Sequence, residues 1–209
     1  MENPDIDDKI QKFWRWFVKN DELIRKALEH GTEANKEHLV RIFDNKVLEI
    51  GTFTWDIEPG FYKQYSFTIS PNRSRELLKL SRKLISYSPE LTHWEFKYCR
   101  PAENWDLTFG IYDEKLAYRE IDASGWRFML LPDPGQTVSI TLEAENLSEI
   151  DEETCLEAAE IVVTGLLGEE SRIIHVTDIG LTRRFGTEFE EIARPVTELK
   201  QRVEQILGF

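Results

Sequence analysis

His93 and Glu95 alternate in the stretch HWEFKY, and Asp106 and Thr108 alternate in WDLTFGIY. Residues two apart in an extended chain share a face. If these stretches pair as a hairpin, an imidazole and two carboxylates stand on one polar surface. That is the minimum for acid–base chemistry or small-ligand binding: a group titrating near neutrality beside a carboxylate that orients it. His93, Glu95 and Asp106 are therefore a candidate ligand site. Polar cross-strand pairs are also routine on wet sheet faces, and no catalytic motif accompanies these. HExxH, CxxC, GxSxG and GxxxxGK are absent, and DPGQT lacks the lysine and spacing of a phosphate-binding loop. His175 and Asp178 in HVTD are three apart, which sets them on opposite faces of a strand. His30, His38, His93 and His175 show no ligand spacing. No catalytic residue, metal or cofactor is expected.

Charge carries more information than motif. The net charge is −13, and between Phe128 and Ser171 there are eleven acids and no Lys, Arg or His. The remainder holds 28 acids and all 26 bases. Such a field opposes nucleic-acid phosphates and anionic membranes and favours a basic protein partner or solubility alone. Glu149, Asp151, Glu152, Glu153, Glu157 and Glu160 are the candidate partner-binding residues. SEIDEETCLE lacks the glycine and ligand periodicity of a calcium loop, and acids at a helix start complement the macrodipole without metal. The opposite sign appears at Arg73, Arg75, Lys79, Arg82 and Lys83, which suits a solvated helix face, an internal salt-bridge network or a homo-oligomer joined through basic and acidic elements.

The elements that position these residues follow from hydrophobic period. Ile10, Phe13, Phe17, Ile24 and Leu28 predict a helix ending near Gly31, and Leu39, Ile42 and Phe43 a second from about 33 to 46. TFTWDI and QYSFTI alternate and predict a hairpin. A helix is expected from Pro71 with Ser70 as its cap. Strands follow around 94–98, 105–112, 116–121, 126–131 and 137–143. A helix over 152–167 sets Glu153, Glu157 and Glu160 against Leu156, Ala159, Val163 and Leu167. RIIHVTDI reads as a strand, and Pro195 opens a last helix with Val196, Leu199, Val203 and Ile206. Runs of helices and alternating strands predict an α+β fold, an antiparallel sheet with helices mainly on one face. One domain over residues 1–209 is expected, with a weak seam near 133–136. The acidic start lacks the basic and apolar regions of a leader, no run reaches the roughly 18 apolar residues that cross a bilayer, and Cys99 and Cys155 read as reduced thiols. A cytoplasmic protein is expected.

KFWRWFVKN concentrates two tryptophans and two phenylalanines in five positions. On a helix, Phe13 and Phe17 centre an apolar stripe, while Trp14 and Trp16 fall on opposite flanks, about 160° apart. The pattern predicts a helix gripped from two sides rather than an exposed stacking platform. Together with YSPELTHWEFKYCRPAE and LLGEE, it resembles a bacterial family of soluble domains of unknown function, which has an N-terminal FWxWF helix, a later W-x-F strand and a GE turn. The matching residues are Phe13, Trp14, Trp16, Phe17, Pro89, Trp94, Phe96, Pro101, Gly168 and Glu169. The resemblance implies a soluble α+β domain and supplies no catalytic residue. The function expected is a non-enzymatic binding or regulatory protein of immunity-protein or nuclease-regulator type. The alternative is a small-molecule-binding domain or hydrolase-like enzyme using the polar face of the sheet.

Overall fold

The computed structural model describes residues 4–208, so Met1 to Asn3 of the acidic start lie outside it. The fold is α+β, and the chain divides into two compact units, Met1–Arg100 and Pro101–Phe209. The stretch considered as a seam, 133–136, is instead the turn of a hairpin inside the second unit.

In the first unit, α1 (Pro4–His30) and α2 (Glu33–Leu48) precede β1 (Thr54–Pro59) and β2 (Tyr65–Ser70), which pair antiparallel as predicted. Thr32 caps α2 by accepting a hydrogen bond from the Asn35 amide. Then α3 (Arg75–Ser86) crosses over to β3 (Trp94–Lys97), which runs parallel to β2. Parallel neighbours require such a crossover. The helix starts four residues later than Pro71 because Asn72 and Arg73 hold positive φ, 50° and 64°, and Ser74 rather than Ser70 is the cap. Phe67, Ile69, Trp94 and Phe96 turn one sheet face toward Phe13, Phe17, Phe43 and Leu84, so all three helices cover the same side.

The aromatic cluster packs as a wedge. Phe17 is fully buried against the rings of Phe43, Phe67, Trp94 and Phe96. On one flank Trp14 Nε1 donates to the Leu84 carbonyl at 2.8 Å. On the other, Trp16 meets Phe43 edge to face at 5.1 Å. Both flanks of the helix are therefore occupied.

In the second unit, β4 (Thr108–Tyr112) and β5 (Tyr118–Asp122) form a two-stranded sheet. The strands β6 (Arg127–Asp133), β7 (Thr137–Glu143), β8 (Val176–Thr182) and β9 (Arg194–Pro195) form another, in the order β8-β7-β6-β9. The β7–β8 pair is parallel, joined through α4 (Glu152–Leu167) and α5 (Glu169–His175). The strand expected over RIIHVTDI is thus half helix. Gly168 ends α4 at φ +80°, and the chain turns straight into α5 before extending at Val176. Near the end, Val196–Glu198 makes a 3-10 turn ahead of α6 (Leu199–Leu207). The buried face of α4 is Cys155, Ala158, Ala159, Val162, Val163 and Leu167, packed with Phe128, Ile140, Leu142 and Val203. Leu156, expected on that face, is 42% exposed. Among the described residues no helix is long and apolar enough to cross a membrane.

Candidate functional site

The polar triad on which ligand chemistry would rest is not assembled by strand pairing. β3 bonds to β2 and β4 bonds to β5, so the hairpin that would join His93 and Glu95 to Asp106 does not form. His93 offers its carbonyl to the Tyr65 amide. Glu95 accepts from the amides of Tyr62 and Lys63 and fixes the β1–β2 loop. Burial pushes the Glu95 carboxyl up, but these amides outweigh it and hold it below the usual glutamate range. Asp106 accepts from the Thr108 amide at 3.0 Å, in the second unit. His175 ends α5, its Nδ1 3.1 Å from the Gln136 carbonyl, while Asp178 lies in β8. Among the described residues no group of three or more His, Cys, Asp or Glu is arranged to hold a metal ion.

The charge, in contrast, sorts by unit. Residues 1–100 hold 16 acids and 17 bases, whereas 101–209 hold 23 acids and 9 bases, a balance of +1 against −14. The basic helix α3 sits in the first unit, where Lys83 pairs with Asp7 at 2.7 Å and Arg82 lies over the Tyr98 ring.

Within the second unit, several acids are tied into the framework. Asp151 caps α4, accepting from the Thr154 amide and hydroxyl, and it also accepts from the Glu114 amide at 3.4 Å. The Thr154 amide is the chief reason its carboxyl lies below the ordinary aspartate range. Glu160 holds Arg172 through two bonds of 2.8 and 2.5 Å, a half-buried fork joining α4 to α5. Asp113, 6% exposed, accepts from the amides of Lys115 and Ala117 and from Arg119 Nε, which closes the β4–β5 turn. The Ala117 amide is foremost in holding its carboxyl low. Asp133 accepts from Ser139 and Thr177, with Ser139 the leading cause of a lowered carboxyl. Glu143 takes the Phe185 amide at 2.7 Å and the Arg127 guanidinium at 3.2 Å.

Glu149, Glu152, Glu153 and Glu157 all lie on the exposed surface around the first turns of α4. The Glu114–Asp151 bond joins this region to the turn of β4–β5. Tyr112, Leu116 and Tyr118 are exposed there, a feature that sequence reading passed over although the signal was present. With Phe109 and Ile111 packed inward, period-2 alternation puts Tyr112 on the wet face.

Compared with known proteins, the chain matches no family model, no curated protein and no solved structure.

Proposed function

We propose that this chain is a non-enzymatic binding or regulatory protein of the cytoplasm, whose second unit presents an acidic surface to a basic protein partner, in the manner of an immunity protein or nuclease regulator. The observation that supports the reading is the partition of charge: the whole net negative charge belongs to one compact unit. Such a field speeds encounter with a basic surface and suppresses association with anionic ones. Glu149, Glu152 and Glu153 carry it outward, whereas Asp151 and Glu160 position the helix that bears them.

The test cross-links the full chain in its own lysate, identifies each captured protein, and measures its association with the purified chain by interferometry. A basic partner is expected, with kon falling steeply between 50 and 300 mM salt and dropping about tenfold in the Glu149→Gln, Glu152→Gln, Glu153→Gln variant. Partners whose association ignores both salt and these substitutions overturn the reading.

A second reading, a small-molecule-binding domain on the polar sheet face, draws on Ser66. Its hydroxyl is buried without a hydrogen-bond partner, between its register neighbours Glu58 and Glu95. It ranks second because Glu95 is already engaged by the loop amides.

A further inference from the structure

The β4–β5 hairpin turns two tyrosine rings outward, on the face it shares with Glu120 and Asp122. Tyr112 and Tyr118 are register partners, 66% and 61% exposed, and their rings meet edge to face at 5.6 Å. Leu116, at the turn, is 82% exposed. The turn beneath them is held by hydrogen bonds. Asp113 gathers two amides and Arg119 under the turn, and the Tyr118 ring lies across Gly110, where a Cβ would come within 2.4 Å of it. Side chains fixed in this way lose little freedom on binding, which makes exposed aromatics effective anchors.

Charge states what such an anchor accepts. Glu114, Glu120 and Asp122 are exposed on the same hairpin, and the Glu114 amide bonds to Asp151, against the turn of α4 that carries Glu152 and Glu153. Lys115 is a cation at the turn and opposes this sign, while Arg119 is paired with Asp113. Tyrosine faces inside a carboxylate rim complement a guanidinium, which stacks on a ring while its N–H groups reach the acids. A lysine ammonium satisfies the charge without the stacking.

The geometry points to the β4–β5 hairpin as the docking point for an arginine side chain of a basic polypeptide, with Tyr112 and Tyr118 as anchor and the α4 acids as rim. This rests on the acidic-surface reading above and adds the contact and its chemistry.

The test titrates the full chain with fluorescein-labelled nona-arginine and nona-lysine at fixed salt and reads anisotropy. Both peptides are expected to bind, nona-arginine about threefold or more tightly. Tyr112→Ser with Tyr118→Ser should abolish that preference while retaining nona-lysine binding. Tyr112→Phe with Tyr118→Phe, which keeps the rings, should preserve it, and Lys115→Gln should tighten both peptides. Circular dichroism verifies that each variant is folded, and if the serine pair fails to fold, Tyr112→Ser alone is required to reduce the preference. Equal affinity for the two peptides, or a preference unchanged by loss of the rings, overturns the docking assignment and leaves the acidic-surface reading standing. If neither peptide binds, the acidic-surface reading itself falls and the assignment with it.

Discussion

Replacing Phe17 by alanine tests whether the aromatic cluster is packing or recognition. The side chain is fully buried, and its ring meets Phe43, Phe67, Trp94 and Phe96 at centroid distances of 5.9, 5.7, 4.9 and 5.4 Å. Its neighbours come from α2, β2 and β3, so no single element can move in to fill the void. Large-to-small changes at such sites cost about 3–5 kcal/mol, and the several edge-to-face contacts put this one toward the upper end. For a unit of this size, a urea m-value of about 1.5 kcal/mol/M converts that cost into a midpoint lowered by about 2–3 M. Tryptophan fluorescence is a suitable probe because four of the six tryptophans, Trp14, Trp16, Trp55 and Trp94, lie in the first unit. Phe17→Leu keeps most of the volume and should lose only about 1–2 kcal/mol. If Phe17→Ala leaves the urea midpoint in place yet abolishes association with a partner, the wedge is a recognition surface and the packing account is wrong.

Two further predictions concern the second unit. Gly168→Ala places a side chain at φ +80° with its Cβ 2.8 Å from the Ala102 backbone nitrogen, so thermal melting should show a loss of about 1–3 kcal/mol; an unchanged melt would mean that the α4–α5 corner is not built as described. Asp113 has its carboxyl lowered in the folded state, so its stabilising contribution is complete above the ordinary aspartate pKa and drains away as pH falls below about 4. Urea melts should therefore show Asp113→Asn less stable than the parent at pH 7, with the difference narrowing toward pH 3. A difference that does not vary with pH would remove the ionised carboxylate from the account.

Period and polarity made much of this fold legible. The stripe Phe13, Phe17, Ile24 and the alternation of Phe53, Trp55 and Ile57 report burial on one side, and the structure has it there. The opposite flanks expected for Trp14 and Trp16 are occupied by Leu84 and Phe43. What alternation cannot report is which strand pairs with which. Trp94 to Lys97 reads like a hairpin arm but joins β2 in parallel, because α3 carries the chain back across the sheet. Backbone geometry overrides residue type at the start of α3, where two positive-φ residues after Pro71 postpone the helix to Arg75, with Ser74 as its cap. Ile173 and Ile174 look extended by composition, yet they fall in a short helix because Gly168 permits an abrupt corner just before it. The acids were visible as a run, but their division into committed and outward-facing groups depends on partners distant in sequence, such as Phe185 for Glu143 and Glu114 for Asp151.

That division decides how the acidic surface is to be probed. Asp113, Asp151, Glu143 and Glu160 each satisfy donors that hold a turn, a cap, a strand end or a helix junction. Removing any of them leaves those donors unpaired, at a cost comparable to a lost buried hydrogen bond, so reduced binding in such a variant would report damaged structure as much as lost recognition. Glu149, Glu152 and Glu153 stand on the exposed side of the same region, and their charge can be removed without touching that framework. The two kinds of contact also differ in kinetics. Long-range charge acts mainly on encounter, so glutamate neutralisation should appear in kon and in the salt slope. A ring that stacks on a docked side chain acts only after encounter, so loss of Tyr112 and Tyr118 belongs in koff. A protein that steers with α4 and grips with the hairpin must show the two effects separately, and if both sets of substitutions altered only kon, the surface would be an electrostatic guide without an anchor.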